Sequence, residues 1–164
     1  MNQSQILLIL GAMAILSLIT LNSHRTVLSA ANLRLDTEVV ITASEVAESM
    51  MNEIKSKAYD EAVTDSNTVD DVSQFTLYMG PGWSEYPGYY DDVDDFITDN
   101  YKNKPVVINT PRTGPVTATV AVHYVKPETP TVISYTQTRM KRIRISVTAA
   151  RLSKAVVLDS FVSY

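Results

Sequence analysis

The chain has 164 residues, a net charge of -4 and an isoelectric point near 5.1. A protein that binds the phosphate backbone of nucleic acid needs a basic face, so this charge balance argues against that function. The absence of cysteine excludes disulfides, thiolate metal sites and a cysteine nucleophile. The length fits one domain with an appendage better than two domains.

The N-terminal part contains an uncharged apolar run from Ile6 to Leu21, ILLILGAMAILSLITL. A spanning helix usually needs about 20 apolar residues, so this run is short for one. A signal peptide would have a basic start and a small-residue cleavage site before a change in composition, and neither is seen. A membrane anchor is a second interpretation, although Arg25 and Arg34 follow the run and do not favour export of the C-terminal part. The third interpretation is a helix that lies in a membrane temporarily and then packs against copies of itself.

Helical periodicity continues beyond the apolar run and predicts one helix that reaches about residue 58. Such a helix would be roughly 80 Å long and would need partners along its length. A pair of helices broken near Asn22-Ser23-His24 is the alternative. The predicted apolar stripe consists of Leu28, Leu35, Val39, Ala43, Val46 or Ala47, Met50 and Ile54.

Residues 59–101 are acidic and irregular in pattern, with a possible short strand at 74–79 and a turn at Gly80-Pro81-Gly82. An aromatic cluster follows, made of Trp83, Tyr86, Tyr89 and Tyr90. Clusters of this kind usually pack a loop onto its own core or onto a neighbour, and stacking on a glycan is the alternative.

The pattern turns to strands after Pro105. Residues 106–108 predict a short strand, and residues 116–124 and 141–149 alternate apolar and polar side chains with a period of two. Pro127 and Pro130 predict a loop between these two strands, and a last strand is expected over 155–164.

These elements predict an α+β fold in which a long N-terminal helix packs on a C-terminal antiparallel sheet. We expect the helix to occupy residues 1–58 and a β-rich head to occupy 59–164, with an acidic loop at 84–101.

This layout resembles that of the type IV pilin and pseudopilin superfamily. The features that match are the apolar-then-amphipathic helix, the variable loop, the DDVDDF stretch at 91–96 and the final hairpin KRIRISVTAARLSKAVVLDSFVSY. The sequence differs from the family pattern in having no basic leader before the apolar run and in having Gln5 where the family has a glutamate.

The resemblance implies a structural subunit of an extracellular pilus-like filament at the cell surface, with no enzymatic activity. Its partners would be copies of itself, the cytoplasmic membrane before assembly and a secretion or pilus-assembly machinery. The alternative is a minor pseudopilin, or a single-pass anchored binding protein, that does not form filaments alone. The implied assembly core consists of Ile6, Leu7, Leu10, Gly11, Met13, Ala14, Leu18 and Leu21.

The acidic loop is the candidate metal site. Asp91, Asp92, Asp94 and Asp95 offer the oxygen ligands that Ca²⁺ prefers, with Asp99 and Asn100 as weaker additions. A solvated loop that keeps the surface soluble is the alternative, and no cofactor is required by the predicted role. The only histidines, His24 and His123, form no recognisable catalytic or zinc pattern.

Charge is distributed unevenly, because the first half of the head is acidic and the last hairpin is basic. Opposite charges on one subunit suit contacts between neighbours in a polymer, and we expect Lys141, Arg142 and Arg144 to contact a neighbouring subunit. An intramolecular match between the loop and the hairpin is also expected.

Overall fold

The computed structural model describes residues 2–64, 67–98 and 103–164. Its long helix α1 spans Gln3–Lys55, and its strands are β1 (Val106–Thr110), β2 (Gly114–Lys126), β3 (Thr129–Ile133), β4 (Met140–Ala149) and β5 (Val156–Ser163). Together they form the predicted α+β arrangement of one helix and a five-stranded antiparallel sheet. The chain divides into two compact units, Met1–Glu38 and Val39–Tyr164.

The first unit is helical from Gln3 onward, and the helix continues through Asn22-Ser23-His24 without the break that was the alternative. The hydroxyls of Ser17 and Thr20 donate to the carbonyl oxygens of Met13 and Leu16, at 2.8 and 2.9 Å. These bonds satisfy the polar groups of the apolar run within the helix itself. By length and composition, this is a helix that could cross a membrane.

The second unit, which we call the head, is larger than the predicted head of 59–164 because it includes the end of α1. Its core is formed by the end of α1 and by the sheet. Val39, Ala43, Ala47, Met51 and Ile54 are buried at spacings of three and four residues. The predicted stripe is therefore confirmed from Val39 onward, with Met51 in place of the half-buried Met50. Toward the N-terminus of the predicted stripe, Leu35 is half-buried and the side chain of Leu28 is exposed in the single chain.

The sheet has the strand order β1-β2-β4-β5, and β3 pairs with the end of β2. One face is buried against the helix and carries Val116, Ala118, Val120, Val122, Ile143, Ile145 and Val147. The predicted loop between Pro127 and Pro130 is shorter than expected, since Pro130 lies within β3. Proline is tolerated there because β3 pairs with β2 only at its ends, Thr129 and Ile133.

The short strand predicted at 74–79 was wrong. A 3₁₀ turn, Val72–Gln74, forms instead, because the side chain of Asp71 accepts the N–H of Ser73 at its start. Phe75 then leaves the turn and packs in edge-to-face contact with the ring of Tyr59, at 5.1 Å between centroids. This aromatic contact fixes the start of the loop on the head.

Candidate functional site

The side chains predicted to form the assembly core are all exposed in the single chain. Leu7 is 70% exposed, Leu10 57% and Leu18 61%. A Cβ placed on Gly11 would meet nothing within 4 Å, so this glycine leaves open space beside the helix. Every described residue from 2 to 34 is exposed, which is an unusual state for a helix this apolar.

The acidic loop is held in shape by two of its own aspartates. The Oδ1 atom of Asp92 accepts the N–H groups of Asp94 and Asp95, at 2.8 and 3.1 Å. The Oδ2 atom of Asp95 accepts those of Asp91 and Asp92, at 3.1 and 3.3 Å. These bonds wind the loop into a 3₁₀ turn, Asp94–Phe96, in which three of the four aspartates are buried and only Asp91 is exposed.

Lys141 lies at the centre of a buried charge cluster. Its Nζ atom donates to Asp60 Oδ2 at 2.8 Å, to Asp94 Oδ1 at 2.5 Å and to the carbonyl of Tyr59 at 2.7 Å. The rings of Tyr59 and Tyr124 lie 4.7 and 5.1 Å from the same nitrogen. All three donors of the ammonium are therefore used inside the head, in cation–π contact with two rings.

The Lys141 side chain is 0% exposed, so in this fold it is not accessible to a neighbouring subunit, in contrast to Arg142 and Arg144. Its bond to Asp94 is the intramolecular match between loop and hairpin that the charge distribution led us to expect. The sequence pattern gives no signal that distinguishes Asp60 from the other acidic residues near it. Lys141 could have been placed correctly, since it has the same strand parity as Ile143, Ile145 and Val147, which are buried.

The two carboxylates that face Lys141 differ in their surroundings. Burial raises the pKa of Asp60, but the Lys141 ammonium and bonds from Thr76 and Tyr124 outweigh it, so the pKa lies below its ordinary value. Burial dominates at Asp94 and raises its pKa in spite of Lys141. The pKa shifts of the two carboxyl groups that face Lys141 therefore have opposite signs.

Two further carboxyl groups of the loop are also shifted. Burial and the nearby charges of Asp94 and Asp95 raise the pKa of Asp92 to about 8. Burial also raises the pKa of Asp95 to about 7, with Glu85 adding to the shift. The loop therefore contains more acidic groups than Lys141 alone can neutralise.

The carboxylates available to a cation differ from the predicted set. Ligand atoms of Asp91, Glu61 and Glu85 all lie within 4.8 Å of one another. The buried aspartates direct oxygens to the chain's own N–H groups and to Lys141. Asp99 and Asn100 lie outside the described residues. Carboxylate oxygens suit a hard ion, so calcium binding by this loop stays a prediction, with Asp91 as its accessible ligand.

The aromatic cluster is divided by the fold. Tyr90 packs on the head, with its ring 5.1 Å from that of Phe96. Trp83 is 96% exposed and Tyr89 67%, and the rings of Tyr86 and Tyr89 lie 4.4 Å apart. The prediction that the aromatic cluster packs onto the chain's own core is therefore confirmed for Tyr90. Packing onto a neighbour and stacking on a glycan stay open for Trp83, Tyr86 and Tyr89.

Arg142 and Arg144 lie on the face of β4 opposite to Lys141. Arg144 forms a two-point ion pair with Asp159 on β5, at 2.7 and 2.6 Å. Arg142 donates from one terminal nitrogen to the carbonyl of Thr131 at 3.5 Å, and its buried Nε atom has no hydrogen-bond partner among the described residues. Burial and the two arginines lower the pKa of the neighbouring His123.

A cleft of about 390 Å³ lies between the end of α1, the acidic loop and β1. Its walls are largely apolar and include Met50, Tyr90, Phe96 and Ile108, with Lys57 and Glu53 at its sides. Neither histidine of the chain is among its lining residues.

Comparisons of the chain with protein-family models, with the sequences of characterised proteins and with solved structures found no significant match.

Proposed function

We propose that the chain is a structural subunit of an extracellular pilus-like filament, assembled through packing of its apolar N-terminal helices. The observation that carries this proposal is the exposure of the apolar run. Large side chains from Ile6 to Leu21 are between 43% and 74% exposed in the single chain. Burying one such side chain contributes about 1.5–3 kcal/mol, so packing many of them against copies of the same helix would drive assembly.

The fold supports this role in a second way. The head has its own core, which includes the end of α1, and the exposed apolar residues of Met1–Glu38 contribute none of it. A helix that keeps an apolar surface outside a complete core is suited to an intermolecular bundle. The layout of helix, loop and sheet also resembles that of type IV pilins and pseudopilins.

The proposed route begins in the cytoplasmic membrane. The helix is apolar enough to lie there before assembly, and a secretion or pilus-assembly machinery would move the subunit into the filament. The mature position is the cell surface, where the head faces outward. This role requires neither a catalytic group nor a cofactor.

The test compares the full chain with a head fragment, residues 26–164, which lacks the apolar run. We expect filaments by negative-stain electron microscopy only from the full chain, released from detergent, and a soluble monomer from the fragment. Mass spectrometry of filaments sheared from the source cells should identify this chain as a main component. A full chain that never polymerises under these conditions would contradict the proposal.

The second candidate is a membrane-anchored binding protein, or a minor pseudopilin, that does not polymerise by itself. The apolarity of α1 favours it as well, because the helix could cross a membrane. It predicts a full chain that inserts stably into lipid vesicles and stays monomeric in them. The two candidates therefore differ in the outcome of the same microscopy and vesicle measurements.

A further inference from the structure

The exposed part of the loop combines aromatic rings with clustered negative charge. We call Trp83, Glu85, Tyr86, Tyr89 and Asp91 the acidic-aromatic loop. Its rings are exposed, by 96% at Trp83, and its carboxylates lie within 4.8 Å of each other and of Glu61. Carboxylates beside aromatic faces are the groups that bind a guanidinium, by paired hydrogen bonds and by stacking.

The outward side of the sheet offers the complementary chemistry. We call Arg142, Arg144, Val157 and Phe161 the arginine face. Arg142 lies directly opposite Phe161 across the β4–β5 pairing, and the apolar side chains Val157 and Phe161 are 51% and 42% exposed. The terminal nitrogens of Arg142 make one described hydrogen bond, a long contact of 3.5 Å with Thr131.

The two surfaces belong to opposite sides of β4. Gly80, just before the acidic-aromatic loop, donates its N–H to Asp94 at 3.2 Å, and Asp94 is bonded to Lys141 on the side that faces the helix. The next residue, Arg142, points the other way because successive side chains of a strand alternate. Within one head, the described bonds of Arg142 and Arg144 go to Thr131 and Asp159 and not to this loop.

We propose that the acidic-aromatic loop of one subunit docks on the arginine face of a second copy of the chain. The inference rests on the proposed function and names the contact between heads in the filament. Because the two surfaces differ, the interface is heterologous, and such an interface repeats along a helix instead of closing into a pair. Tryptophan, tyrosine and arginine are also the residues that most often carry the binding energy of an interface.

The contact can be tested by reversing charges in the full-length chain and measuring the critical concentration for polymerisation. We expect Arg142→Glu and Glu85→Arg each to raise it about tenfold, which corresponds to about 1.4 kcal/mol per contact. The matched controls are Lys154→Glu and Glu128→Arg, which make the same charge changes at exposed turn residues outside both surfaces. Both controls should polymerise as the wild type does.

Mixing separates a contact between copies from one within a copy. A 1:1 mixture of Arg142→Glu and Glu85→Arg chains pairs every loop with a face of opposite charge when the subunits alternate. The mixture should therefore polymerise near the wild-type concentration, although each variant alone does not. Single variants that polymerise normally, or a mixture no better than its components, would overturn the proposed contact while leaving the proposed function intact. A wild-type chain that forms no filament would overturn both.

Cross-linking gives a readout that does not depend on charge reversal. The chain contains no cysteine, so Tyr89→Cys and Phe161→Cys can be introduced together without competing thiols. Oxidised filaments of the double variant should run as a ladder of multimers on a non-reducing gel. The control pair, Tyr135→Cys with Phe161→Cys, uses another highly exposed tyrosine and should give no ladder. A ladder from the control pair alone would overturn the assignment.

Discussion

The ammonium of Lys141 lies 2.5 Å from the Oδ1 atom of Asp94, across 47 positions of the chain and with both side chains buried. This ion pair joins the acidic loop to β4, the first strand of the final hairpin. The bond of the same nitrogen to Asp60 adds the segment that follows α1. Desolvation makes such a cluster a weak source of net stability, but removing one partner leaves an uncompensated buried charge. The cluster therefore fixes where the loop lies on the head.

Replacing Lys141 by methionine should destabilise the head strongly. The variant Lys141→Met fills a similar volume but leaves the carboxylates of Asp60 and Asp94 without their shared cation. We expect a loss of about 3–5 kcal/mol in the free energy of unfolding, measured by urea denaturation of the head fragment. Lys126→Met, at an exposed position, is the control and should stay within about 0.5 kcal/mol of the wild type. A loss below 1 kcal/mol for Lys141→Met would contradict the buried cluster.

The stability of the head should fall as the pH rises from about 4 to 8. The pKa values of Asp92 and Asp95 are raised to about 8 and about 7 from an ordinary value of 3.8. The folded head therefore keeps protons that the unfolded chain has lost, and each such proton contributes a slope of about 1.4 kcal/mol per pH unit. Urea midpoints of the head fragment should be higher at pH 5 than at pH 8.

A single substitution isolates the contribution of Asp92 to this slope. Asp92→Asn stays neutral at every pH and keeps an oxygen that can accept the N–H groups of Asp94 and Asp95. We expect it to reduce the pH dependence, with the remaining slope due to Asp95, and to stabilise the head at pH 8. Asp91→Asn, at the exposed neighbouring position, is the matched control for loss of one carboxyl group of the loop. A wild-type stability that increases over this pH range would show that the loop carboxyl groups are ionised in the folded head.

Calcium should bind the loop through its accessible carboxylates. Isothermal titration of the head fragment with Ca²⁺ should release heat, and EDTA should lower the melting temperature of a calcium-loaded sample. Asp91→Asn should remove both effects because Asp91 lies within 4.8 Å of Glu61 and Glu85. Glu128→Gln is the control for loss of one exposed carboxylate. If the wild type gives no heat and no shift with EDTA, the loop is an acidic surface without a metal.

The end of α1 should tolerate substitution on only one of its faces. Ile54 is 0% exposed and belongs to the head core, whereas Ile41 is 53% exposed on the same helix. Ile54→Ala should cost about 2–5 kcal/mol through lost burial and the cavity that remains. Ile41→Ala removes the same atoms and should cost less than about 1 kcal/mol in the head fragment. Similar losses for both variants would mean that the helix packs through a different face.

The sequence predicts the regular elements well because their periodicity reports burial directly. The alternation of β4 gives both its buried isoleucines and its outward arginines, and the helical stripe from Val39 to Ile54 is correct to within one residue. The pattern wrongly predicts a strand at 74–79. The Asp71 side chain accepts the N–H of Ser73, and this bond starts a 3₁₀ turn just before that segment.

The charge cluster was harder to predict because its members are far apart in the chain. In the sequence, Asp60 is one acidic residue among several and Asp94 is a candidate calcium ligand, and only the fold brings both to Lys141. Local patterns do not report such long-range pairing. The different exposures of Trp83 and Tyr90 were equally hard to predict. Both residues belong to one aromatic stretch of the sequence, and only the fold determines that Tyr90 is buried and Trp83 is exposed.

A charge placed in the apolar run should block assembly without changing the head. Leu10 and Leu18 are 57% and 61% exposed in the single chain, so Leu10→Asp and Leu18→Asp remove no contact that the chain makes with itself. In a filament core the same carboxylate would be buried against neighbouring helices without a cation, at a cost of several kcal/mol. We expect both variants to form no filaments by electron microscopy and to keep the melting temperature of the wild-type head. Leu10→Ile and Leu18→Ile, which conserve volume and apolarity, should still polymerise. Filaments of normal length from Leu10→Asp or Leu18→Asp would place the apolar run outside the filament core, and assembly would then have to rest on contacts between heads.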